Sequence, residues 1–284
     1  MSAPVRFAAP HDGRLDAAML AAYERDGFLV LDSFLGLEDC DALKQRAGEL
    51  IAAFTPAPAR TVFSTITQAH AREDYFLGSA EGMGFFFEEE ADERPIELAL
   101  NKIGHALHDC DPVFARISRR PRLSAVVASL GLAEPLLLQS MYILKPPQIG
   151  GAVDWHQDAT FLYTEPSSVV GLWIAVDAAT TDNGCLVAHA GSHRGPLRRR
   201  FRRRGDALEM EELDSTPLPA EPPAVLEVER GALIVLHGTL AHASAANRSV
   251  ATRHAFSLHV IDGAARYAPD NWLQRRHLPL RGFT

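Results

Sequence analysis

Cysteine is scarce in this sequence, since Cys40, Cys110 and Cys185 are the three among 284 residues and they lie far apart. Such spacing fits neither a disulfide framework nor a clustered zinc site, and buried free thiols are the simpler interpretation. Long apolar runs are missing as well. The longest, such as 169–176, fall far short of the roughly 20 residues that cross a bilayer. The N-terminal residues also lack the apolar stretch of a secretory signal. We therefore expect a folded cytoplasmic protein without a membrane span.

Positive charge is in deficit, because 28 Lys and Arg stand against 36 Asp and Glu, for a net charge of −8. Nucleic-acid-binding proteins need a cationic surface, so we expect no nucleic-acid partner. One local exception is a run of arginines between Arg194 and Arg204, which an acidic stretch follows at 206–221. The simplest interpretation is a self-neutralising surface segment. The alternative is that some of these arginines face a pocket and hold an anionic substrate.

The order of the elements predicts a mainly β fold with flanking helices. Apolar spacing predicts helices from about 15 to 23 and over 37–54, 101–107 and 111–130, a strand at 28–31, and irregular structure with short strands over 55–92. Short β-prone segments then follow at 136–144, 152–158, 169–176, 184–188, 225–228, 232–237, 240–244 and 253–260, with a hairpin signal at Asn183-Gly184. This pattern is typical of a β-sandwich or jelly roll covered by helices.

No linker divides the chain, so we expect a single domain over 1–284. Its helical part would span 15–130 and its jelly-roll core about 135–262. The segment 195–223 is too long and polar for a compact connection, and we expect it to be an insertion or lid.

The most informative motif is His156-Gln157-Asp158. In a strand, residues two apart face the same side, so an imidazole and a carboxylate would point at one place. This motif alone is a weak signal for a metal site, because a structural His and Asp pair joined by a hydrogen bond would have the same sequence pattern. A second imidazole from His242 would complete the two-His, one-carboxylate set of non-haem Fe(II) oxygenases. His237 is the competing candidate for that position.

Ser244 and Arg253, which follow His242 in the sequence, favour 2-oxoglutarate as the co-substrate. An oxygenase that uses 2-oxoglutarate must neutralise the distal carboxylate of that molecule inside an apolar barrel. Arg253 offers a bidentate cation and Ser244 offers a hydroxyl, and their spacing after His242 favours that histidine over His237. His259 shares strand parity with Arg253, and we expect it to be a hydrogen-bonded core histidine.

Two alternatives stay open on these residues. A zinc hydrolase could use the same three ligands, although Ser244 and Arg253 would then have no purpose. A metabolite-binding or sensing protein without catalysis could also retain the metal site.

The sequence resembles the phytanoyl-CoA dioxygenase family along nearly its whole length. The matching blocks include NKIGHALH at 101–108, QSMYILKPP at 139–147, HQDATFLYTEP at 156–166, WIAVDAAT at 173–180 and GSH at 191–193. The resemblance implies a double-stranded β-helix and an Fe(II)- and 2-oxoglutarate-dependent dioxygenase, which consumes O2 and releases succinate and CO2.

The resemblance also implies the roles of the site residues. His156, Asp158 and His242 would bind Fe(II), and Arg253 with Ser244 would hold the co-substrate. Three further residues match positions that line the co-substrate pocket in related proteins, namely Lys102, Met141 and Trp173. A halogenating relative would need a small residue in place of Asp158, so hydroxylation or a related oxidation of a small organic substrate is favoured. The arginine run would suit an anionic substrate.

Overall fold

The computed structural model describes residues 4–55, 73–91, 94–205 and 207–284. The helices in these ranges are α1 (Ala17–Asp26), α2 (Leu37–Ala53), α3 (Glu73–Gly78), α4 (Leu107–Cys110), α5 (Pro112–Ser118) and α6 (Pro121–Ser129). The strands are β1 (Arg6–Ala8), β2 (Phe28–Asp32), β3 (Met83–Phe87), β4 (Leu100–His105), β5 (Pro135–Lys145), β6 (Val153–His156), β7 (Thr164–Glu165), β8 (Val170–Ala175), β9 (Leu186–Ala188), β10 (Arg199–Arg204), β11 (Ala207–Glu212), β12 (Ala224–Leu226), β13 (Leu233–His237), β14 (His242–Ser244), β15 (Arg253–Asp262) and β16 (Arg266–Tyr267).

The larger sheet has the strand order β1-β2-β13-β8-β15-β5-β4-β3 within the described ranges. Neighbouring strands within this sheet are antiparallel, except that β1 runs parallel to β2. The central strand β8 is buried along its whole length, and its side chains alternate between two cores. Leu172 and Ile174 join the core beneath the helices, whereas Trp173 faces the other way. Helices α1, α2, α5 and α6 therefore cover one face of this sheet and leave the other for the site.

The smaller sheet, with order β12-β9-β14-β6, lies against that other face. Leu186 and Leu226 of the smaller sheet share an apolar core with Val30, Trp173 and Ile234 of the larger one. Two facing sheets of this kind, covered by helices on one side, form a double-stranded β-helix, which confirms the expected fold class.

The segment 195–223 contains a β-hairpin, in which β10 pairs with β11. The ladder sets the arginines of one strand against the acids of the other, and Arg202 lies 3.4 Å from Glu209 and 3.0 Å from Glu211. Arg204 pairs with the same Glu209 at 2.9 Å. This part of the charged run is therefore self-neutralising, as the sequence predicted. A function as a lid stays a prediction.

Most sequence-predicted elements are confirmed, including all eight strands after residue 135, the strand at β2, and helices α1 and α2. The predicted helix over 101–107 is wrong, because 100–105 form strand β4, which pairs with β3 and β5. The apolar residues of β4 have helical spacing, but sheet pairing overrides that local preference. Of the irregular stretch over 55–92, residues 56–72 and 92 lie outside the described ranges.

The predicted helix over 111–130 is two helices rather than one. Asp111 caps α5, as expected, by accepting hydrogen bonds from the amides of Val113 and Phe114. Pro121 opens α6, and the preceding Arg120 has extended backbone angles because proline disfavours a helical residue before it. The chain therefore turns between the two helices.

The turn at Asn183-Gly184 forms, but it does not make a hairpin. It lies between β8 of the larger sheet and β9 of the smaller one, so it carries the chain across the barrel. Gly184 has a φ of 82°, which a glycine adopts without strain. No helix in the described ranges is both long and apolar enough to span a membrane.

Candidate active site

Three potential metal ligands converge at the opening between the two sheets. The last residue of β6, His156, is the register partner of the first residue of β14, His242. Asp158 Oδ1 lies 3.8 Å from Nε2 of each of the two histidines. One ligand atom from each residue falls within 4.8 Å of the other two. The structure therefore brings together the three residues that the sequence singled out, and His237 is not in this group.

Asp158 reaches this point by a turn and not by strand alternation. The sequence predicted a strand over 152–158, but β6 ends at His156 and a short 3-10 turn begins at Asp158. Gln157 lies between the two ligands and is buried. Its side-chain amide donates to the carbonyl oxygens of Thr239 at 2.7 Å and Pro196 at 3.1 Å. These bonds anchor the turn in the orientation that points the carboxylate at the imidazoles.

Both imidazoles are oriented for metal binding through Nε2. The Nδ1–H of His156 donates to the carbonyl oxygen of Asp154 at 2.8 Å, and the Nδ1–H of His242 donates to that of Leu240 at 3.1 Å. A proton fixed on Nδ1 leaves the Nε2 lone pair facing the carboxylate. Burial lowers the pKa of His156 to about 4, so this imidazole is neutral near pH 7.

The Asp158 carboxylate stays ionised in this environment. Burial acts to raise its pKa, but the neighbouring His259, His242 and His156 outweigh burial and hold the pKa below its usual range. An ionised carboxylate beside two imidazoles is the donor set that a divalent first-row metal ion prefers.

The opposite end of the site holds a buried guanidinium. Arg253, the first residue of β15, is 1% exposed, and its Nη2 donates to the carbonyl oxygen of Gly184 at 3.1 Å. Its Cζ lies 5.4 Å from the centre of the Trp173 ring. Within the described ranges, Nε and Nη1 of Arg253 have no hydrogen-bond partner. A buried cation with two unused donors is costly unless an anion completes it.

Two buried lysines add positive charge to the same region. Lys145 is the register partner of Arg253, and its Nζ donates to the carbonyl oxygens of Gly151 and Ala245, both at 2.6 Å. Burial, with a smaller effect from Arg253, lowers the pKa of Lys145 to about 7. Burial likewise lowers the pKa of Lys102 to about 7.

The carboxylate that acts on both lysines is Glu88. It accepts hydrogen bonds from the Asn101 side chain at 3.0 Å and from the Gly151 amide at 3.1 Å. Burial raises the pKa of Glu88 above its usual value. Because a raised pKa favours the uncharged carboxyl group, Glu88 offsets less of the positive charge of the neighbouring lysines.

All eight site residues that the sequence predicted line one cavity of about 500 Å³: Lys102, Met141, His156, Asp158, Trp173, His242, Ser244 and Arg253. Ser244 lies on β14 two residues after His242, and Met141 faces Gly104 across the β4 and β5 pair. Lys102 lies on a strand and not on the helix that the sequence predicted. The structure thus places these residues together, and their individual roles stay predictions.

Three residues near the site escaped the sequence analysis or were given another role. Gln157 and Lys145 had no assignment, although an isolated lysine in the apolar run of β5 was a usable signal. His259 was expected to be an ordinary core histidine, but its Nε2 lies 3.3 Å from Asp158 Oδ2. Its strand parity with Arg253 was the signal that placed it inside the barrel.

The mouth of the cavity is formed partly by the β10 and β11 hairpin. Phe201 and Met210 give this wall an apolar surface, and Arg198 and Arg199 line it as well. The Arg198 guanidinium contacts backbone carbonyl oxygens at 3.3–3.4 Å. Acidic side chains also reach the mouth, among them Glu212 and Asp214. The mouth therefore combines an apolar wall with charges of both signs.

Comparison with known proteins places the chain in a family. The family model for phytanoyl-CoA dioxygenase (PhyH) matches residues 23–255. Phytanoyl-CoA dioxygenase domain-containing protein 1 of Mus musculus is 44% identical over 276 residues, which are 92% of this chain and 95% of the relative. Phytanoyl-CoA dioxygenase 1 of Oryza sativa subsp. japonica is 43% identical over 283 residues, 95% of this chain and 98% of the relative.

A solved structure supports the fold. EctD from S. alaskensis, crystallised with 2-oxoglutarate and 5-hydroxyectoine, superposes with a TM-score of 0.66 at 21% identity. The match covers 98% of this chain and 90% of EctD. The family match also confirms the expected enzyme class, an Fe(II)- and 2-oxoglutarate-dependent oxygenase. The chain belongs to the phytanoyl-CoA dioxygenase family.

Proposed function

We propose that this protein is a dioxygenase that hydroxylates a small organic, anionic substrate, with His156, Asp158 and His242 as the Fe(II) ligands. The observation that carries the proposal is the buried Arg253, whose unused donors line the same cavity as these ligands. When bound, Fe(II) with 2-oxoglutarate and O2 would supply the oxidising chemistry that converts the co-substrate to succinate and CO2.

The three residues suit this chemistry because their ligand atoms lie close together and would bind the metal from one side. An ion with three protein ligands keeps three further positions, of which a chelating keto acid takes two and O2 takes one. The orientation of both imidazoles through backbone carbonyl oxygens fixes that face before the metal arrives. The chain thus supplies a preformed half of the coordination sphere.

The charges at the other end of the cavity suit a dicarboxylate. Arg253 would bind the distal carboxylate of 2-oxoglutarate through guanidinium N–H groups that have no partner among the described residues, with the Ser244 hydroxyl nearby. Lys102 and Lys145 would contribute further positive charge, and Trp173 and Met141 would pack on the aliphatic part. Dicarboxylate binding would compensate buried cations that Glu88 alone compensates only in part.

The substrate would enter between the hairpin and the metal ligands. Phe201 and Met210 offer an apolar surface to its carbon skeleton, and Arg198 and Arg199 offer donors to an anionic group. We propose that the segment 195–223 acts as a lid over this entrance within a single domain. We also propose a cytoplasmic location. The net charge of −8 supports the further proposal that the protein has no nucleic-acid partner.

The first experiment is an anaerobic titration of the metal-free protein with Fe(II) and then 2-oxoglutarate, monitored through the visible charge-transfer band of a chelated keto acid. We expect the band with the native protein. Arg253→Ala should weaken co-substrate binding by at least about tenfold, since it removes a charge-assisted bidentate contact of about 1.5–3 kcal/mol.

The matched control is Arg248→Ala, because Arg248 is an exposed arginine outside the cavity. It should bind the co-substrate like the native protein. Binding of Fe(II) without the band, or hydrolytic activity with zinc alone, would overturn the proposal. Equal affinities for the Arg253 and Arg248 variants would overturn the role of Arg253.

A further inference from the structure

The Asp158 carboxylate has two oxygen atoms in different surroundings. Oδ1 lies 3.8 Å from Nε2 of both His156 and His242, so it faces the metal position. Oδ2 points the other way, and His259 Nε2 lies 3.3 Å from it. Both side chains are buried, with Asp158 6% and His259 4% exposed. From this arrangement we infer that His259 is a positioning residue that restricts Asp158 to binding the metal through one oxygen.

The proton on His259 can be placed from its partners. An imidazole donates through a protonated nitrogen, and a proton is favoured on the nitrogen that has an acceptor beside it. Nδ1 of His259 has no hydrogen-bond partner in the described ranges, whereas Nε2 faces a carboxylate oxygen. Nε2 is therefore the nitrogen of His259 that can donate to Asp158 Oδ2. The two atoms lie 3.3 Å apart, and Oδ2 has no hydrogen bond of standard geometry to any other described residue.

The neighbouring strands are built to allow this contact. His259 on β15 is the register partner of Gly171 on β8. A Cβ atom at position 171 would lie 2.9 Å from Asp158 Oδ2 and 3.3 Å from the Cβ of Leu236. Real Cβ atoms do not approach an oxygen so closely, so the glycine provides the space that Oδ2 occupies. The imidazole and the glycine together form the seat of this oxygen.

The consequence for the metal follows from counting positions. A carboxylate that binds through both oxygens takes two coordination positions, and with two histidines it leaves two. The chelating co-substrate would fill both and exclude O2. Holding Oδ2 on His259 keeps the third position open. This inference rests on the proposed function, because it concerns the metal ligand of that site.

The test is anaerobic Mn(II) binding to the metal-free protein, followed by electron paramagnetic resonance with and without 2-oxoglutarate. His259→Leu removes the donor and retains similar volume, and His259→Gln restores a donor. We expect His259→Leu to weaken Mn(II) binding by roughly 10- to 100-fold, as removal of an outer partner of a metal ligand does. His259→Gln should recover most of the affinity, which a merely space-filling residue would not require.

Gly171→Ala is a second, independent variant, because it fills the seat of Oδ2 while leaving the imidazole intact. It should weaken Mn(II) binding in the same way. His254→Leu is the matched control, since His254 lies on the same strand but bonds to the Tyr142 hydroxyl at 2.7 Å, away from the cavity. The thermal unfolding midpoint of each metal-free variant identifies any that fail to fold.

The outcomes separate the two claims. If the native protein binds neither Mn(II) nor 2-oxoglutarate, the proposed function fails and this inference fails with it. If the native protein binds both, and the folded His259→Leu and Gly171→Ala variants bind Mn(II) as tightly as the native protein does, only the inference on His259 is overturned.

Discussion

At the scale of single residues, the site depends on side chains that are buried as ions or as potential ions. Arg253, Lys102 and Lys145 occupy one end of the cavity, and Asp158 occupies the other. Burying such groups costs free energy unless partners compensate. The backbone carbonyl oxygens around Lys145 and the imidazoles around Asp158 supply part of that compensation. The rest is available to a bound metal and a bound dianion.

The lysines predict how co-substrate binding depends on pH. Burial holds the pKa of Lys102 and Lys145 at about 7 in the free protein, so both lose their charge as the pH rises through that value. A dianion prefers the protonated lysines, and binding above pH 7 therefore takes up protons. We expect 2-oxoglutarate affinity to fall several-fold between about pH 6 and about pH 8.5, where these lysines deprotonate. Isothermal titration calorimetry in buffers of different ionisation enthalpy measures both the 2-oxoglutarate affinity and the number of protons taken up on binding.

A matched pair of variants checks the source of this pH dependence. Lys102→Met should flatten the profile, whereas Lys44→Met should not, because Lys44 is exposed and paired with Asp177 at 2.7 Å. An affinity that is constant or rises with pH would contradict the electrostatic argument.

At the scale of elements, Gln157 connects the metal-binding turn to the hairpin wall. Its side chain bonds to the carbonyl oxygens of Thr239 and Pro196, and its Oε1 accepts from the Arg198 amide at 2.9 Å. One side chain thus joins the turn before β14, the start of the hairpin segment and the two ligands that flank it. The position of the hairpin relative to the proposed metal ligands depends on this link.

We predict that Gln157→Leu loosens both the hairpin and the turn that carries Asp158. The variant loses three hydrogen bonds but leaves Arg253 untouched, so amide hydrogen exchange over 196–204 should speed up by at least about tenfold. The charge-transfer band with Fe(II) and 2-oxoglutarate should weaken as well, because two of these bonds orient the turn that carries Asp158. Gln45→Leu is the control, since Gln45 bonds to Glu49 on an exposed helix face. Unchanged exchange in the hairpin would show that the link is not structural.

At the scale of the whole molecule, stability and site chemistry reside on opposite faces of one sheet. Residues such as Leu172 and Ile174 pack beneath the helices, while their neighbour Trp173 lines the cavity. The helical face can therefore be altered without contact with the metal ligands. This separation allows the loops and the mouth to vary while the barrel stays folded.

We predict that Leu172→Ala lowers the free energy of unfolding by about 2–5 kcal/mol, because it leaves a cavity in a fully buried core. Val250→Ala should change it by less than about 0.5 kcal/mol, since the Val250 side chain is 88% exposed. Urea unfolding of the metal-free proteins measures both. The folded Leu172→Ala variant should still bind Mn(II), and loss of metal binding in that folded variant would contradict the separation of the two faces.

Much of the fold could be predicted from local patterns. Eight of the twelve described strands from β5 onward, helix α2 and the cap at Asp111 follow from residue alternation, apolar spacing and capping preference, which neighbouring residues fix among themselves. Strand β4 could not be predicted in this way. Its apolar residues have helical spacing, and only pairing with β3 and β5 makes it a strand.

The sequence by itself determined the donor set, since the spacing of His156, Asp158, His242, Ser244 and Arg253 indicated an iron and 2-oxoglutarate site. Tertiary structure alone decided what surrounds these residues. His259 meets Gly171, and Lys145 meets Arg253, through strand pairs that join residues about 90 and 110 positions apart. Such pairs are set by the register of the whole sheet, which no local pattern encodes. For that physical reason, the partners of the carboxylate and of the guanidinium appear only once the barrel has closed.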